Sequence, residues 1–533
     1  MALLAGVVTF LARPAFDATP SLYRDDAWTA LVTKTDGLSE FLLVAVTAPG
    51  FAALLKGWLA LVGFDEWKAQ LLPLLIAIVT PPVLYVVLVR RGLVRVAAGA
   101  GAFLLAVSPE FVKDATRVKQ YSLDTLCVVC LLGLAWWLLD DVTSARRWRY
   151  LALAGVGALL LSSPSVIFLV TGLGVGLVAL WREDRSRLRI ALVPSALAGA
   201  FTLLWWVLVL HPAVSPALTS FWRGYYIPLG GGVGQALAAV SVTAGRVATH
   251  ATGLRGGEVA AALFAVAYGV VLWRRLLLGL LLLGPIAIAF LLATRDLAPL
   301  GTGRTDVYLY PALMMAVAVT VDALARRAPR ATGVGALAAA VLLLFLAPTP
   351  VYPVDEVGPL VAEVEAKASP SDAIVAYPLA SYQVALYTRR PIDLRRIDTT
   401  ATGFTVDVRA KNVYTPAEAW PRDALNFAAT IERVRRGHDS VWVLVTPTGD
   451  PLISPPSPEG AGARERFRHR WEDAALPYAL QAIRQAYGAK GVPAEPREIT
   501  FQQYVGRVMR RAGYRQSDPG IVRPRGSLTH WER

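Results

Sequence analysis

Basic residues recur in phase between apolar segments, and this constrains the chain more than any other feature. Apolar runs long enough to approach the ~30 Å of a bilayer core fall at 1–13, 69–89, 93–109, 121–139, 150–170, 167–181, 189–210, 257–273, 276–293, 311–324 and 332–348. The fifth and sixth overlap around a break at Ser162-Ser163-Pro164. After every second run comes a short arginine cluster: Arg90, Arg91 and Arg95; Arg146, Arg147 and Arg149; Arg182, Arg185, Arg187 and Arg189; Arg274 and Arg275; Arg326, Arg327 and Arg330. Five clusters in phase form the positive-inside pattern. They predict a polytopic α-helical membrane protein of about eleven transmembrane helices, its amino terminus cytoplasmic and its carboxyl-terminal part extracytoplasmic.

Composition agrees. Mean hydropathy is +0.48, 55% of residues are apolar and 17% are charged. A net charge of +14 would point a soluble chain toward nucleic acid. Here the excess arginine lies in short loops against an anionic leaflet, so nucleic acid is excluded as a partner. Cys127 and Cys130 share one apolar run and read as small buried helix residues, since no second ligand pair for a metal accompanies them. The apolar segment 41–62 is interrupted by Pro49-Gly50 and carries Lys56; it reads as juxtamembrane or re-entrant.

Two parts follow: a transmembrane domain over 1–349 and an α/β extracytoplasmic domain over 350–533. In the second, 372–377 and 440–446 read as buried strands, and 378–387, 422–436, 464–471 and 477–487 as helices. Strand–helix alternation predicts a small, partly parallel sheet. Thr448 to Pro458 reads as a loop. No nucleotide-binding or hydrolase motif occurs there, and Gly230-Gly231-Gly232 follows no strand, which argues against a phosphate cradle.

Ionisable residues near membrane depth mark candidate sites. Asp25 and Asp26 adjoin Arg24 just after the first apolar run. By the arginine phase they share the outer side with Lys113, Arg117, Lys119, Arg223 and Arg304. A carboxylate can take a proton from an attacking hydroxyl, and cations can hold a phosphate leaving group. Asp25 or Asp26 is therefore a candidate base, and Lys113, Arg117, Lys119 and Arg304 a candidate phosphate clamp. Asp124 lies one turn into a span, where an unpaired carboxylate is costly; Arg117 and Lys119 are its expected partners. Arg24 and Tyr121 are candidate substrate contacts. His211 and His250 are too far apart to form a metal motif. Each basic group also has a plain reading as a solvated turn, an interfacial lysine or a structural loop pair.

The order of these features resembles a known family. An outer acidic pair is followed by Leu55-Lys56-Gly57-Trp58-Leu59-Ala60-Leu61-Val62-Gly63-Phe64-Asp65-Glu66-Trp67, then by Ser108-Pro109-Glu110-Phe111-Val112 and Lys119-Gln120-Tyr121-Ser122-Leu123-Asp124. Gly303-Arg304-Thr305-Asp306-Val307-Tyr308 follows later, with Pro311 after it. This resembles the GT-C superfamily of membrane glycosyltransferases, nearest the protein O-mannosyltransferases and the lipid A aminoarabinose transferases. The second acidic residue is Asp26 where the family typically has Glu, and Ala48-Pro49 stands for a Pro-Pro pair. The resemblance implies a polyprenyl-phosphate sugar donor and inverting transfer to an extracytoplasmic glycan, lipid or protein. It implies Asp25 as catalytic carboxylate, Asp26 as its neighbour and Asp124 as the later aspartate of the fourth span, so that Asp25, Asp26 and Asp124 are the expected catalytic residues. No cofactor is required by it, and a divalent metal stays open. The rival reading is a flippase, transporter or scaffold, or a protein that only binds a lipid-linked sugar.

Overall fold

A computed structural model describes residues 21–45, 48–211, 222–228, 232–254, 256–335, 356–396, 404–416, 422–446, 478–488, 499–523 and 526–533. Helices dominate up to 335. They are α1 (Arg24–Ala30), α2 (Leu38–Val44), α3 (Pro49–Val62), α4 (Glu66–Arg90), α5 (Arg95–Ala106), α6 (Pro109–Asp114), α7 (Tyr121–Leu139), α8 (Ala145–Leu161), α9 (Ser165–Glu183), α10 (Leu188–Trp205), α11 (Gly232–Thr252), α12 (Gly257–Arg274), α13 (Leu276–Thr294) and α14 (Tyr310–Ala325).

Seven helical segments among the described residues are long and apolar enough to cross a membrane. Many large apolar side chains on them point outward: Trp273 is 92% exposed and Leu197 68%. Exposed apolar surface on that scale needs lipid, not water, around it. The protein is a multi-pass membrane protein. The span list changes in detail. The run 93–109 becomes the 12-residue α5, because Pro109 starts α6. The run at 150–170 splits at 162–164 into α8 and α9. The interrupted segment 41–62 becomes α2 and α3, set at 112° to each other. The run 1–13 and most of 332–348 lie outside the described residues, as do 448–458, 464–471 and Gly230-Gly231.

Small residues let the helices approach. A Cβ on Gly172 would meet the Ala135 methyl at 3.0 Å, and one on Gly101 would meet Ala318 at 3.0 Å. The arginine-rich loops gather at one end of the bundle. Arg91 pairs with Asp140 at 2.5 Å, Asp322 accepts from the Val94 amide at 2.8 Å, and Arg326 donates to the Gly92 carbonyl at 2.7 Å. The helices α7 and α14 run from this end to the opposite one, where residues 121 and 310 begin them.

The carboxyl-terminal part holds α15 (Val357–Lys367), β1 (Ala373–Ala376), α16 (Ser381–Tyr387), β2 (Ile392–Arg396), β3 (Phe404–Val408), β4 (Val413–Tyr414), α17 (Asp423–Val434), β5 (Ser440–Val445), a helix over 478–487, α18 (Phe501–Arg511), β6 (Arg515–Arg523) and β7 (Gly526–Glu532). The main sheet runs β4-β1-β5-β7-β6. Its β4/β1 and β1/β5 pairs are parallel, and β5/β7 and β7/β6 are antiparallel. Both faces are covered. Val375, Val441 and Val443 pack with Phe427, Ile431 and Tyr504 on one side, while Ile374, Trp442 and Leu444 pack with Leu360 and Val361 on the other. That is why β1 and β5 are continuous apolar runs. The expected strands and the helices at 422–436 and 477–487 form. The β6–β7 hairpin and the β2–β3 pair were not expected.

Candidate active site

Three distant segments meet at the end of the bundle opposite the arginine loops. The first is α1, whose opening turn carries Asp25 and Asp26. The second is the turn 115–120 between α6 and α7. The third is the loop 300–306 before α14. That loop is rigidly built. The Thr302 hydroxyl accepts from the amides of Arg304 (3.0 Å) and Thr305 (2.8 Å) and donates to Asp306 Oδ1 at 2.7 Å. Gly303 has φ +73° and sits so close to His250 that a Cβ would meet its ring at 2.9 Å, so only glycine suits this turn. The loop thereby aims Arg304 at α1.

Arg304 Nη1 donates to Asp25 Oδ2 at 2.6 Å. Arg117 Nε donates to both oxygens of Asp26, at 3.1 and 2.9 Å, and its Nη2 lies 3.8 Å from Asp25. Arg24 Nε is 3.9 Å from Asp25 Oδ1. Aromatic rings back the cations: Tyr23 faces Arg117 at 5.1 Å, Trp28 faces Lys119 at 5.5 Å and Trp222 faces Arg304 at 5.2 Å. Rings at such distances stabilise desolvated cations. The Lys119 ammonium makes no hydrogen bond or ion pair among the described residues, while its backbone amide donates to the Arg117 carbonyl at 2.7 Å.

The two carboxylates differ. Burial alone would raise Asp25, but Arg304, then Arg24, Lys119 and Arg117, outweigh it and hold the carboxyl below its usual range. Asp26 is more deeply buried, and burial raises it despite Arg117 and Lys119. Asp26 therefore holds a proton more tightly than Asp25 does. Burial lowers Lys119 to about 8 against the pull of Asp25 and Asp26.

The expected site residues separate into two groups. Asp25, Asp26, Arg24, Arg117, Lys119 and Arg304 come together. Tyr121 is buried beside them, within the field of Arg304 and Asp114. Lys113 does not join: it pairs with Glu110 at 2.7 Å, one turn back on α6. Asp124 forms no ion pair with Arg117 or Lys119 among the described residues, correcting the expected partnership. It sits one turn deeper than Tyr121, with Ser162, Cys127 and Tyr308 as its electrostatic neighbours. A helix advances about 5 Å per turn, enough to take residue 124 below the cationic layer.

Asp114 was overlooked in the sequence. It is 1% exposed, neither carboxyl oxygen has a hydrogen-bond partner, and burial pushes it up to about 8. A lone acid inside a basic stretch was the available signal. Among the described residues, no three His, Cys, Asp or Glu side chains are grouped to hold a metal ion. The shortest ion pair of Asp25 is with Arg304 and that of Asp26 is with Arg117.

Residues 46–210 match a family model described as dolichyl-phosphate-mannose-protein mannosyltransferase, which covers well under half of the chain. The structure of ArnT from Cupriavidus metallidurans in the apo state is similar over 83% of this chain and 91% of that one, at 14% identity and a TM-score of 0.51. The chain has the GT-C fold. The oligosaccharyltransferase of Archaeoglobus fulgidus, solved with zinc and sulfate, is similar over 83% of this chain and 68% of its own, at 12% identity and a TM-score of 0.48. No curated protein matches the sequence.

Proposed function

We propose that the protein is an integral membrane glycosyltransferase. It moves a sugar from a polyprenyl-phosphate donor to an extracytoplasmic glycan, lipid or protein, with inversion. The observation that carries this reading is the convergence of Asp25 and Asp26 with Arg117, Lys119 and Arg304. The paired residues lie 91 and 279 positions apart in sequence, yet form one buried cluster at one end of a membrane bundle. ArnT from Cupriavidus metallidurans has been solved bound to undecaprenyl phosphate, which favours a lipid-phosphate ligand for the same scaffold. The site faces outward, since the arginine loops at 91, 147 and 326 occupy the other end and read as cytoplasmic.

In this mechanism the donor phosphate enters beside Lys119, whose ammonium has no hydrogen bond or ion pair to give up among the described residues. Arg304 then turns from Asp25 toward the phosphate oxygens. Asp25, relieved of its strongest cation, accepts the acceptor hydroxyl's proton as the oxygen attacks the anomeric carbon. The bond to phosphate breaks, and the departing lipid phosphate keeps the bonding electrons, stabilised by Lys119 and Arg304. Asp26 and Arg117 stay paired and fix α1 against the 115–120 turn. Asp124, below this layer, serves the packing of α7 and not the chemistry.

The test is a panel of polyprenyl-phosphate-linked sugars with the purified protein in lipid, read as formation of free polyprenyl phosphate. Turnover with one donor supports the reading. Binding of such lipids with no turnover under any acceptor would favour the non-catalytic carrier instead.

A further inference from the structure

We infer that Gln383 and Tyr387, in the carboxyl-terminal part, are positioning residues for Asp25. This rests on the proposed transferase reading and extends it. A seven-residue helix such as α1 is not stable alone, and it has no side-chain cap at its amino end. Something outside the helix must fix it. The residues just before it are held from the far side of the sequence. Leu22 donates its amide to Tyr387 Oη at 2.5 Å, and its carbonyl accepts from Gln383 Nε2 at 3.0 Å. Ser21 Oγ accepts from the Gly358 amide at 2.7 Å.

The grip continues along the segment. Trp28, on α1, packs its ring against Tyr382 at 5.1 Å. Past the helix, Lys34 donates to the Thr388 carbonyl at 2.7 Å. Tyr387 also hydrogen-bonds Glu66, the first residue of α4. One side chain thus joins the acidic segment, the first long span and the carboxyl-terminal part. Tyr382, Ala385 and Leu386 belong to the same apolar core as Ala27 and Ala30. Both backbone groups of Leu22 are satisfied by α16, and α16 thereby sets where α1 starts. Asp25 lies three residues on, so its distance to Arg304 and to an incoming hydroxyl depends on that register.

Neither residue touches the reacting atoms, so the expected signature is a loss in kcat with little change in donor KM. Gln383→Glu keeps the shape of the side chain and removes the donor to Leu22; Tyr387→Phe keeps the ring and removes the acceptor. Each variant, as the full chain in lipid, is assayed for kcat per folded molecule and for KM toward the polyprenyl-phosphate sugar. The expected result is a kcat on the order of tenfold to a hundredfold lower, as for a small misplacement of a catalytic group, with KM within about twofold. A purely structural role predicts fewer folded molecules at unchanged kcat, and that result overturns the inference. So does a rise in KM alone. If the wild-type protein transfers and both variants match it, the positioning fails while the transferase reading stands. If the wild type transfers nothing, both fall together.

Discussion

Arg304 and Asp25 form a 2.6 Å ion pair between the loop before α14 and the first turn of α1. The strongest cation of the site is thus held by its candidate base. An arginine-bound carboxylate is a weak proton acceptor, and a carboxylate-bound arginine is a weak phosphate ligand. In the proposed mechanism a donor phosphate resolves both at once by competing for the guanidinium.

Removing that competition has a predictable sign. Arg304 helps hold the Asp25 carboxyl below its usual range, so the wild-type rate stays flat as pH falls toward the usual carboxylate values. In Arg304→Gln the Asp25 pKa rises, and the acid limb of the kcat/KM profile moves to higher pH. The rate at neutral pH drops by ~10²-fold or more through lost phosphate stabilisation. A pH–rate profile of both proteins checks this.

Lys119 supplies the opposite limb. Its ammonium titrates at about 8, so the charge is present at neutral pH and lost as pH rises through that value. Donor KM therefore increases above about pH 8. Lys119→Arg, whose side chain stays charged, shifts that limb to higher pH, while Lys119→Met raises KM at neutral pH and abolishes the limb. Steady-state kinetics between neutral and alkaline pH measure it.

Asp114 makes a prediction about stability. Its folded pKa is raised to about 8, so the folded state keeps a proton that the unfolded state releases near 4. That contribution to stability is full below about pH 4 and is lost as pH rises toward about 8. Asp114→Asn, permanently neutral, gains thermal stability relative to wild type at pH 8 and none at pH 4. Unfolding scans in detergent at the two pH values decide it.

Much of the scaffold was legible because its signals are long. Apolar runs of about 20 residues and the phased arginines need no tertiary information, and β1 and β5 announce themselves as buried strands between helices. The β6–β7 hairpin was not legible: Arg515–Arg523 is mostly polar and contains Pro519-Gly520, so it lacks the alternation that marks a strand. In the site, residue types singled out Asp25, Arg117, Lys119 and Arg304, which the fold brings together, but their pairing across distant segments could not be read from a linear order. Lys113 was separable in principle, since Glu110 stands at helical spacing before it. Asp124 was assigned its partners by closeness in sequence, and helix geometry carried it a turn below them. The grip of Gln383 and Tyr387 on Leu22 left no local trace at all.

In the proposed mechanism Asp25 carries the chemistry and Asp124 does not. The most direct test is the initial rate of sugar transfer from a polyprenyl-phosphate donor by wild type, Asp25→Asn and Asp124→Asn, each confirmed as folded and membrane-inserted. The expected outcome is a loss of ~10³-fold or more for Asp25→Asn, in the range of general-base removal, and a rate within about tenfold of wild type for Asp124→Asn. Substantial turnover by Asp25→Asn, or a loss for Asp124→Asn as deep as the one predicted for Asp25, would contradict it.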